Sequence, residues 1–125
     1  MASVQSFEEL EIWKKAQDLG AMIYGLCEIN QKIAKDFSFK DQIKRAVVSI
    51  TNNIAEGSEY NNNKQLIRYL KISKGSCAEV RSMLILSKEL NLCSQTEIQE
   101  GYNLSIEISQ NLSNFIKYLN TKMID

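Results

Sequence analysis

The chain has 125 residues, of which 44% are apolar, and its 15 Lys and Arg side chains balance its 15 Asp and Glu side chains. A chain of this length buries about two thirds of the surface that its unfolded form exposes, so we expect one self-supporting domain over residues 1–125. The absence of histidine excludes Ser-His and Cys-His catalysis and imidazole zinc sites. The zero net charge argues against a protein whose whole surface binds nucleic acid.

Three cysteines, Cys27, Cys77 and Cys93, lie in apolar stretches without Cys-x-x-Cys spacing. We predict that they are buried, reduced thiols, which is typical of a cytoplasmic protein. The first ten residues hold two glutamates and no basic-then-apolar signal, and no apolar run reaches the roughly 18 residues of a membrane span. We therefore expect a soluble, cytoplasmic protein with no membrane partner.

Three clusters of helix-breaking residues divide this proline-free chain into four segments. Ser38 is predicted to cap the second helix, Asn62 the third, and Ser94, with Glu97 three residues later, the fourth. Gly57 is predicted to close the second helix. Because short loops join neighbouring helices, the pattern predicts an all-α fold, an antiparallel up-down-up-down four-helix bundle. The predicted helices span about 6–34, 39–57, 63–90 and 95–122.

The second predicted helix carries two different faces. At about 100° per residue, an apolar stripe of Ile43, Val47, Ile50 and Ile54 is expected to face the core. A polar column runs nearly opposite this stripe and consists of Arg45, Ser49, Asn52 and Glu56. The column is open to three interpretations: a solvated face, a hydrogen-bonded network at a subunit interface, or a catalytic constellation.

The third predicted helix has two apolar seams, and one bundle core cannot cover both. The first seam contains Leu66, Leu70, Ser73, Cys77, Val80 and Leu84, and the second contains Ile72, Gly75, Met83, Leu86 and Leu90. A deeply buried helix or scattered surface residues would explain the second seam, but we favour a self-association surface.

Gly75 lies in the middle of the third helix, where glycine costs about 1 kcal/mol relative to alanine. We interpret it as a point of close approach between helices. In that geometry Ser76 and Glu79 reach the second helix, and Arg45 is the predicted ionic partner of Glu79.

Charge is unevenly distributed along the chain, with net charges of −3 for residues 1–30, +6 for residues 31–88 and −3 for residues 89–125. The second and third helices are therefore the basic half. Their side chains are either solvated and paired with the acidic outer segments or available for weak phosphate contacts. The candidate nucleic-acid contacts are Lys44, Lys64, Arg68, Lys71, Lys74 and Arg81, with Lys88 continuing the spacing of Lys74 and Arg81.

Six short motifs occur between Phe7 and Glu79: Phe7-x-x-Leu10-x-Ile12-Trp13-x-x-Ala16, Gln42-Ile43-Lys44-Arg45-Ala46, Ser49-Ile50, Asn53-Ile54-Ala55-Glu56-Gly57, Leu70-x-Ile72 and Gly75-Ser76-x-x-Glu79. Together they resemble the bacterial four-helix bundle proteins encoded in 23S ribosomal RNA intervening sequences, with similarity extending to about Leu119. The resemblance implies antiparallel bundles that assemble into five-fold rings. The group includes accessory proteins of diversity-generating retroelements, which bind nucleic acid and a reverse transcriptase.

The resemblance implies structural roles for seven residues: Arg45, Ser49, Asn53, Glu56, Gly75, Ser76 and Glu79. This chain departs from the family pattern at Lys44, where arginine is usual, at Thr51, where proline is frequent, and at Tyr60, where a basic residue is expected. The retroelement accessory proteins are also strongly basic, so their activity is not transferred to this neutral chain.

These observations predict a non-enzymatic homo-oligomer, a homopentamer by resemblance, with no catalytic residues, metal or cofactor. RNA or a nucleic-acid-associated protein, such as a ribonucleoprotein, is its candidate partner. One alternative is a protein-interaction scaffold without nucleic-acid binding. Another is an enzyme that uses Glu56 or Glu79, although a helical di-iron site would need Glu-x-x-His motifs.

Overall fold

The computed structural model describes residues 6–122, and the terminal residues 1–5 and 123–125 lie outside the description. It is all-helical, as predicted, and residues 6–122 contain no β-strand. A short 3₁₀ turn, Phe7–Glu9, precedes five α-helices. These are α1 (Glu11–Ile29), α2 (Gln31–Lys35), α3 (Phe37–Ser58), α4 (Asn63–Glu89) and α5 (Gln95–Lys122).

The single helix predicted over 6–34 is wrong, because the helix breaks at Asn30. The Asn30 backbone is extended, and its Oδ1 accepts a hydrogen bond from the Ile33 N–H at 2.9 Å, which caps α2. Its Nδ2 donates to the Leu92 carbonyl at 2.8 Å and to Glu97 Oε2 at 3.0 Å. An asparagine side chain that bonds local and distant groups in this way competes with helix continuation. We call these contacts the Asn30 junction.

The helix starts follow side-chain caps. Asn62 accepts from the Gln65 N–H at 3.1 Å, and Ser94 and Glu97 form a reciprocal capping box, so these two predictions are confirmed. The predicted Ser38 cap is wrong. Asp36 accepts from the Phe39 N–H at 3.1 Å, and α3 therefore begins at Phe37.

The core lies between four long helices. Helix α1 packs against α3 and α5, and α4 packs against the same two helices, whereas the backbones of α1 and α4 do not come close to each other in the described chain. The predicted stripe of α3 is buried, as are the three cysteines, which are free thiols. Burial raises the pKa of the Cys77 thiol to about 12, so it stays protonated. None of the helices in residues 6–122 is long and apolar enough to cross a membrane.

Neither Gly57 nor Gly75 has the role that the sequence suggested. Helix α3 does not close at Gly57 but continues to Ser58. A Cβ atom at Gly57 would lie 2.7 Å from the Cβ of Tyr69, so α3 and α4 approach each other closely here. At Gly75 a Cβ atom would meet nothing within 4 Å. The prediction that Gly75 permits close packing inside the chain is therefore wrong.

Candidate functional site

The predicted ion pair between Arg45 and Glu79 is wrong. Arg45 Nε lies 2.9 Å from Asp41 Oδ2, one turn earlier on α3, and both side chains are exposed. The hydrogen bond to Asp41 raises the pKa of Arg45 above its ordinary value. Glu79 instead accepts a hydrogen bond from Gln42, so α3 and α4 are joined here by an amide rather than by a guanidinium.

Ser49 and Asn53 form the centre of a polar contact between α3 and α4. The Ser76 hydroxyl donates to Ser49 Oγ at 2.8 Å, and Asn53 Nδ2 donates to the carbonyl and hydroxyl oxygens of Ser49 at 2.8 and 3.0 Å. Deeper in the same contact, fully buried Ser73 donates to the Ile50 carbonyl at 2.9 Å. The sequence placed Ser73 in an apolar seam and missed this bond.

Asn52 and Glu56 lie apart from that contact. Both are exposed, and neither makes a side-chain hydrogen bond to another part of residues 6–122. Throughout the described chain, every buried side-chain nitrogen and oxygen has a hydrogen-bond partner, and no group of three His, Cys, Asp or Glu side chains could hold a metal ion. The predicted polar column of α3 is therefore divided. Ser49 bonds to α4, whereas Arg45, Asn52 and Glu56 are exposed and make no side-chain hydrogen bond to α4 in this part of the chain.

The outer face of α4 has two sections along its length. The basic section, near its start, comprises Lys64, Arg68 and Lys71, which are exposed and fall within an arc of about 60°. The apolar section follows and comprises the exposed residues Ile72, Gly75, Ile85 and Leu86 and, directly after the helix, Leu90. Ile72, Leu86 and Leu90 are 44%, 46% and 53% exposed, so the second seam of the sequence is solvent-facing except for half-buried Met83.

The basic residues of α4 are not neutralised by the acidic outer helices. The ion pairs within residues 6–122 are Lys14–Glu11, Lys15–Glu107 and Arg45–Asp41, and none of them involves α4. Lys74 and Lys88 are exposed, and Arg81 is half-buried. Six cationic side chains on one helix therefore have no carboxylate partner in the described chain.

Lys44 does not belong with these cations. Its Nζ lies 4.6 Å from the centroid of the Tyr24 ring on α1, whereas Ser49 of the same helix contacts α4. Lys44 thus borders a shallow groove of about 310 Å³ between α1 and α3, lined by Gly20, Tyr24 and Val48 among others. The predicted nucleic-acid contacts therefore do not form one surface. Lys44 lies on the side of α3 that faces α1, whereas the other predicted contacts lie on α4, which packs on another side of α3.

Sequence reasoning missed an aromatic pair beside the basic section. The rings of Tyr60 and Tyr69 are stacked, with centroids 5.5 Å apart and planes at 16°. Their hydroxyl oxygens are 3.4 Å apart, and this hydrogen bond raises the pKa of Tyr69 above its ordinary value. The available signal was Tyr60 in the gap between the second and third predicted helices, with Tyr69 nine residues later in the third helix.

Comparisons with known proteins agree with this fold. The model of the family described as 23S rRNA-intervening sequence protein matches residues 8–114. A similar solved structure is a protein of unknown function from the S23 ribosomal protein family of Bacteroides thetaiotaomicron, with a TM-score of 0.79 and 24% identity. The similarity covers 85% of this chain and 98% of that chain. A comparison with curated proteins found no match.

Proposed function

Because the chain belongs to the 23S rRNA-intervening sequence protein family, we propose that it is a non-enzymatic homo-oligomer that binds RNA through α4 in the bacterial cytoplasm. It would use no metal or cofactor. The observation that carries the proposal is the set of α4 cations without an ion pair inside residues 6–122. Unpaired cations clustered on one helix can contact phosphates locally even in a chain whose net charge is zero.

The proposed scaffold is a single domain, an antiparallel up-down-up-down bundle of α1, α3, α4 and α5. Contacts between the start of one helix and the end of the next support it. The early α3 residue Gln42 bonds to Glu79, and Gly57 near the α3 end lies against Tyr69 near the α4 start. Lys15 and Glu107, 2.7 Å apart, connect the early part of α1 to the middle of α5.

Self-association is proposed to occur through the apolar section of α4. Exposed isoleucine and leucine side chains clustered on one helix favour burial against another protein surface. Gly75, which has nothing within 4 Å, leaves room there for the close approach of a second chain. A closed ring, with five copies as the family resemblance implies, would bury this section in every protomer.

Light scattering at micromolar concentration tests the assembly. The wild-type protein is expected to be an oligomer, and Leu86→Glu is expected to dissociate it because a carboxylate would be placed in the interface. Ile29→Glu is the matched control, since Ile29 is 79% exposed and lies on α1. A monomeric wild-type protein would contradict the proposal.

RNA binding is tested by the salt dependence of RNA affinity. Replacing Lys64, Arg68 and Lys71 with glutamine should weaken binding and make the slope of log K against log salt shallower by about 0.7 for each lost single-strand phosphate contact. The matched control replaces Lys35, Lys117 and Lys122, which are exposed outside α4. Equal effects of the two triple variants would contradict an α4 site.

The second candidate function is a protein-interaction scaffold without nucleic-acid binding. The exposed apolar section of α4 favours it, because that surface supports assembly whether or not RNA binds. An assembled wild-type protein that retains neither structured nor single-stranded RNA at low salt, where phosphate contacts are strongest, would favour this function over RNA binding.

A further inference from the structure

The stacked pair of Tyr60 and Tyr69 lies where α3 ends and the basic section of α4 begins. Tyr69 is half-buried, and its Cβ would be the closest neighbour of a side chain at Gly57, so this residue packs α4 against α3. Tyr60 lies on the connecting turn and remains 44% exposed although Tyr69 covers one side of its ring. The pair therefore presents aromatic surface to solvent on a packed support.

Cations lie next to this aromatic surface. The Arg68 guanidinium carbon is 6.0 Å from the Tyr69 ring centroid. Lys64 lies one helical turn before Arg68 on the same outer face, a rise of about 6 Å along the helix. The nearby carboxylates, Glu56 and Glu59, belong to α3 and its end. A polyanion that touches the tyrosines would thus run along α4 rather than along α3.

An exposed aromatic ring with adjacent cations suits a ligand that has both a flat apolar face and negative charges. A nucleobase offers an apolar face that stacks on an aromatic ring whatever its sequence, and its flanking phosphates pair with Lys and Arg. Bases inside a duplex have both faces covered by their neighbours and cannot stack on a protein side chain. The site therefore fits a single strand.

We propose that Tyr60, supported by Tyr69, is a stacking platform for an unpaired base of single-stranded RNA, with the flanking phosphates on Lys64 and Arg68. This proposal depends on the proposed RNA binding and specifies which form of RNA the α4 site prefers. The apolar section of α4 begins only after Lys71, so the platform lies outside the surface assigned to self-association. Assembly and strand binding can then occur together.

The test compares wild-type protein, Tyr60→Ala and Tyr60→Phe at low salt. The probes are a short uridine-rich single strand carrying one 2-aminopurine base and a blunt-ended RNA duplex of the same length, which has no unpaired base. Tyr60→Ala is expected to weaken single-strand binding by about 5- to 150-fold, the range for one lost stacking contact, without changing duplex binding. Tyr60→Phe retains the ring and is expected to bind the single strand within about twofold of wild type.

The fluorescence of 2-aminopurine supplies a measurement on the wild-type protein alone, because stacking on tyrosine quenches it. Quenching on binding is expected with wild type and with Tyr60→Phe. Binding of the single strand without quenching, or equal affinities of wild type and Tyr60→Ala, would overturn the platform while leaving RNA binding by α4 intact. If the wild-type protein binds neither probe, both proposals are overturned.

Discussion

The two connections that flank α4 hold their polar groups in opposite ways. The connection to α5 is fixed by the Asn30 junction, where one buried side chain bonds to Ile33, Leu92 and Glu97, and Lys32 adds a 2.9 Å bond to the Asn91 carbonyl. The connection from α3 has exposed residues from Glu59 to Asn62, a stacked tyrosine pair and unpaired cations. Hydrogen bonds within the chain stabilise the connection to α5, whereas the cations near the connection from α3 have no ion pair within residues 6–122 and are available to a partner.

Replacing the centre of the fixed connection should have the largest effect on folding. Asn30→Ala leaves the half-buried Leu92 carbonyl without its donor and removes the cap on the Ile33 N–H, so we expect a loss of about 2–4 kcal/mol in unfolding free energy. Asn62→Ala at the exposed connection removes a cap alone and should cost about 1 kcal/mol. Urea unfolding measures both. Equal losses would contradict the distinction between the connections.

Glycine substitutions test how α3 and α4 meet near the open connection. Gly57→Ala forces a Cβ atom to within 2.7 Å of the Tyr69 Cβ, an atom that cannot move without its backbone, and we expect a loss of about 1–3 kcal/mol. Gly75→Ala has free space and should stabilise the isolated chain by up to about 1 kcal/mol. Thermal unfolding of both variants in a Leu86→Glu background, which is expected to be monomeric, separates this effect from assembly. A destabilising Gly75→Ala would contradict the open geometry.

A pH titration should reveal the smallest difference. Hydrogen bonds from the Ser94 backbone and then from the Asn30 side chain lower the pKa of Glu97 below its reference value of 4.5. A carboxyl group with a lowered pKa in the folded state stabilises the fold above its unfolded pKa, and this stability is lost as the pH falls through the folded pKa. Because Glu97 is exposed, we expect at most about 1 kcal/mol.

The Glu97 contribution is measured as the difference in unfolding free energy between pH 7 and acid pH. Glu97→Gln should flatten this difference, whereas Glu100→Gln, an exposed carboxylate on the same helix, should not. If both variants retain the wild-type pH dependence, Glu97 does not hold the α4–α5 connection in this way.

Most parts of the fold that depend on neighbouring residues could be predicted from the sequence, although Asp36 caps α3 instead of nearby Ser38. The caps at Asn62 and Ser94 and the buried stripe of α3 need only local spacing. The break at Asn30 could not be predicted, because two of its partners, Leu92 and Glu97, come from residues more than sixty positions away. A partner for Arg45 was available in the sequence at Asp41, and local proximity outweighed the longer-range pairing with Glu79.

The candidate site was predictable in composition but not in arrangement. The cations of α4 were visible in the sequence, yet the separation of Lys44 depends on how α1 packs against α3. Likewise, the sequence predicted close helix packing at Gly75, because a glycine inside a helix is unfavourable unless it serves packing. Only the relative positions of α3 and α4 show that the close contact is at Gly57 instead. The stacking of Tyr60 on Tyr69 depends on the turn that brings the two residues together.

The most direct test of the account is the light-scattering mass of the wild-type protein with and without single-stranded RNA at low salt. We expect an oligomer near five times the 14.3 kDa of one chain, which keeps its subunit number when RNA adds to its mass. This result follows if the apolar section of α4 is used for assembly and the basic section for RNA. A monomer that takes up no RNA, or an oligomer that RNA dissociates, would contradict that division.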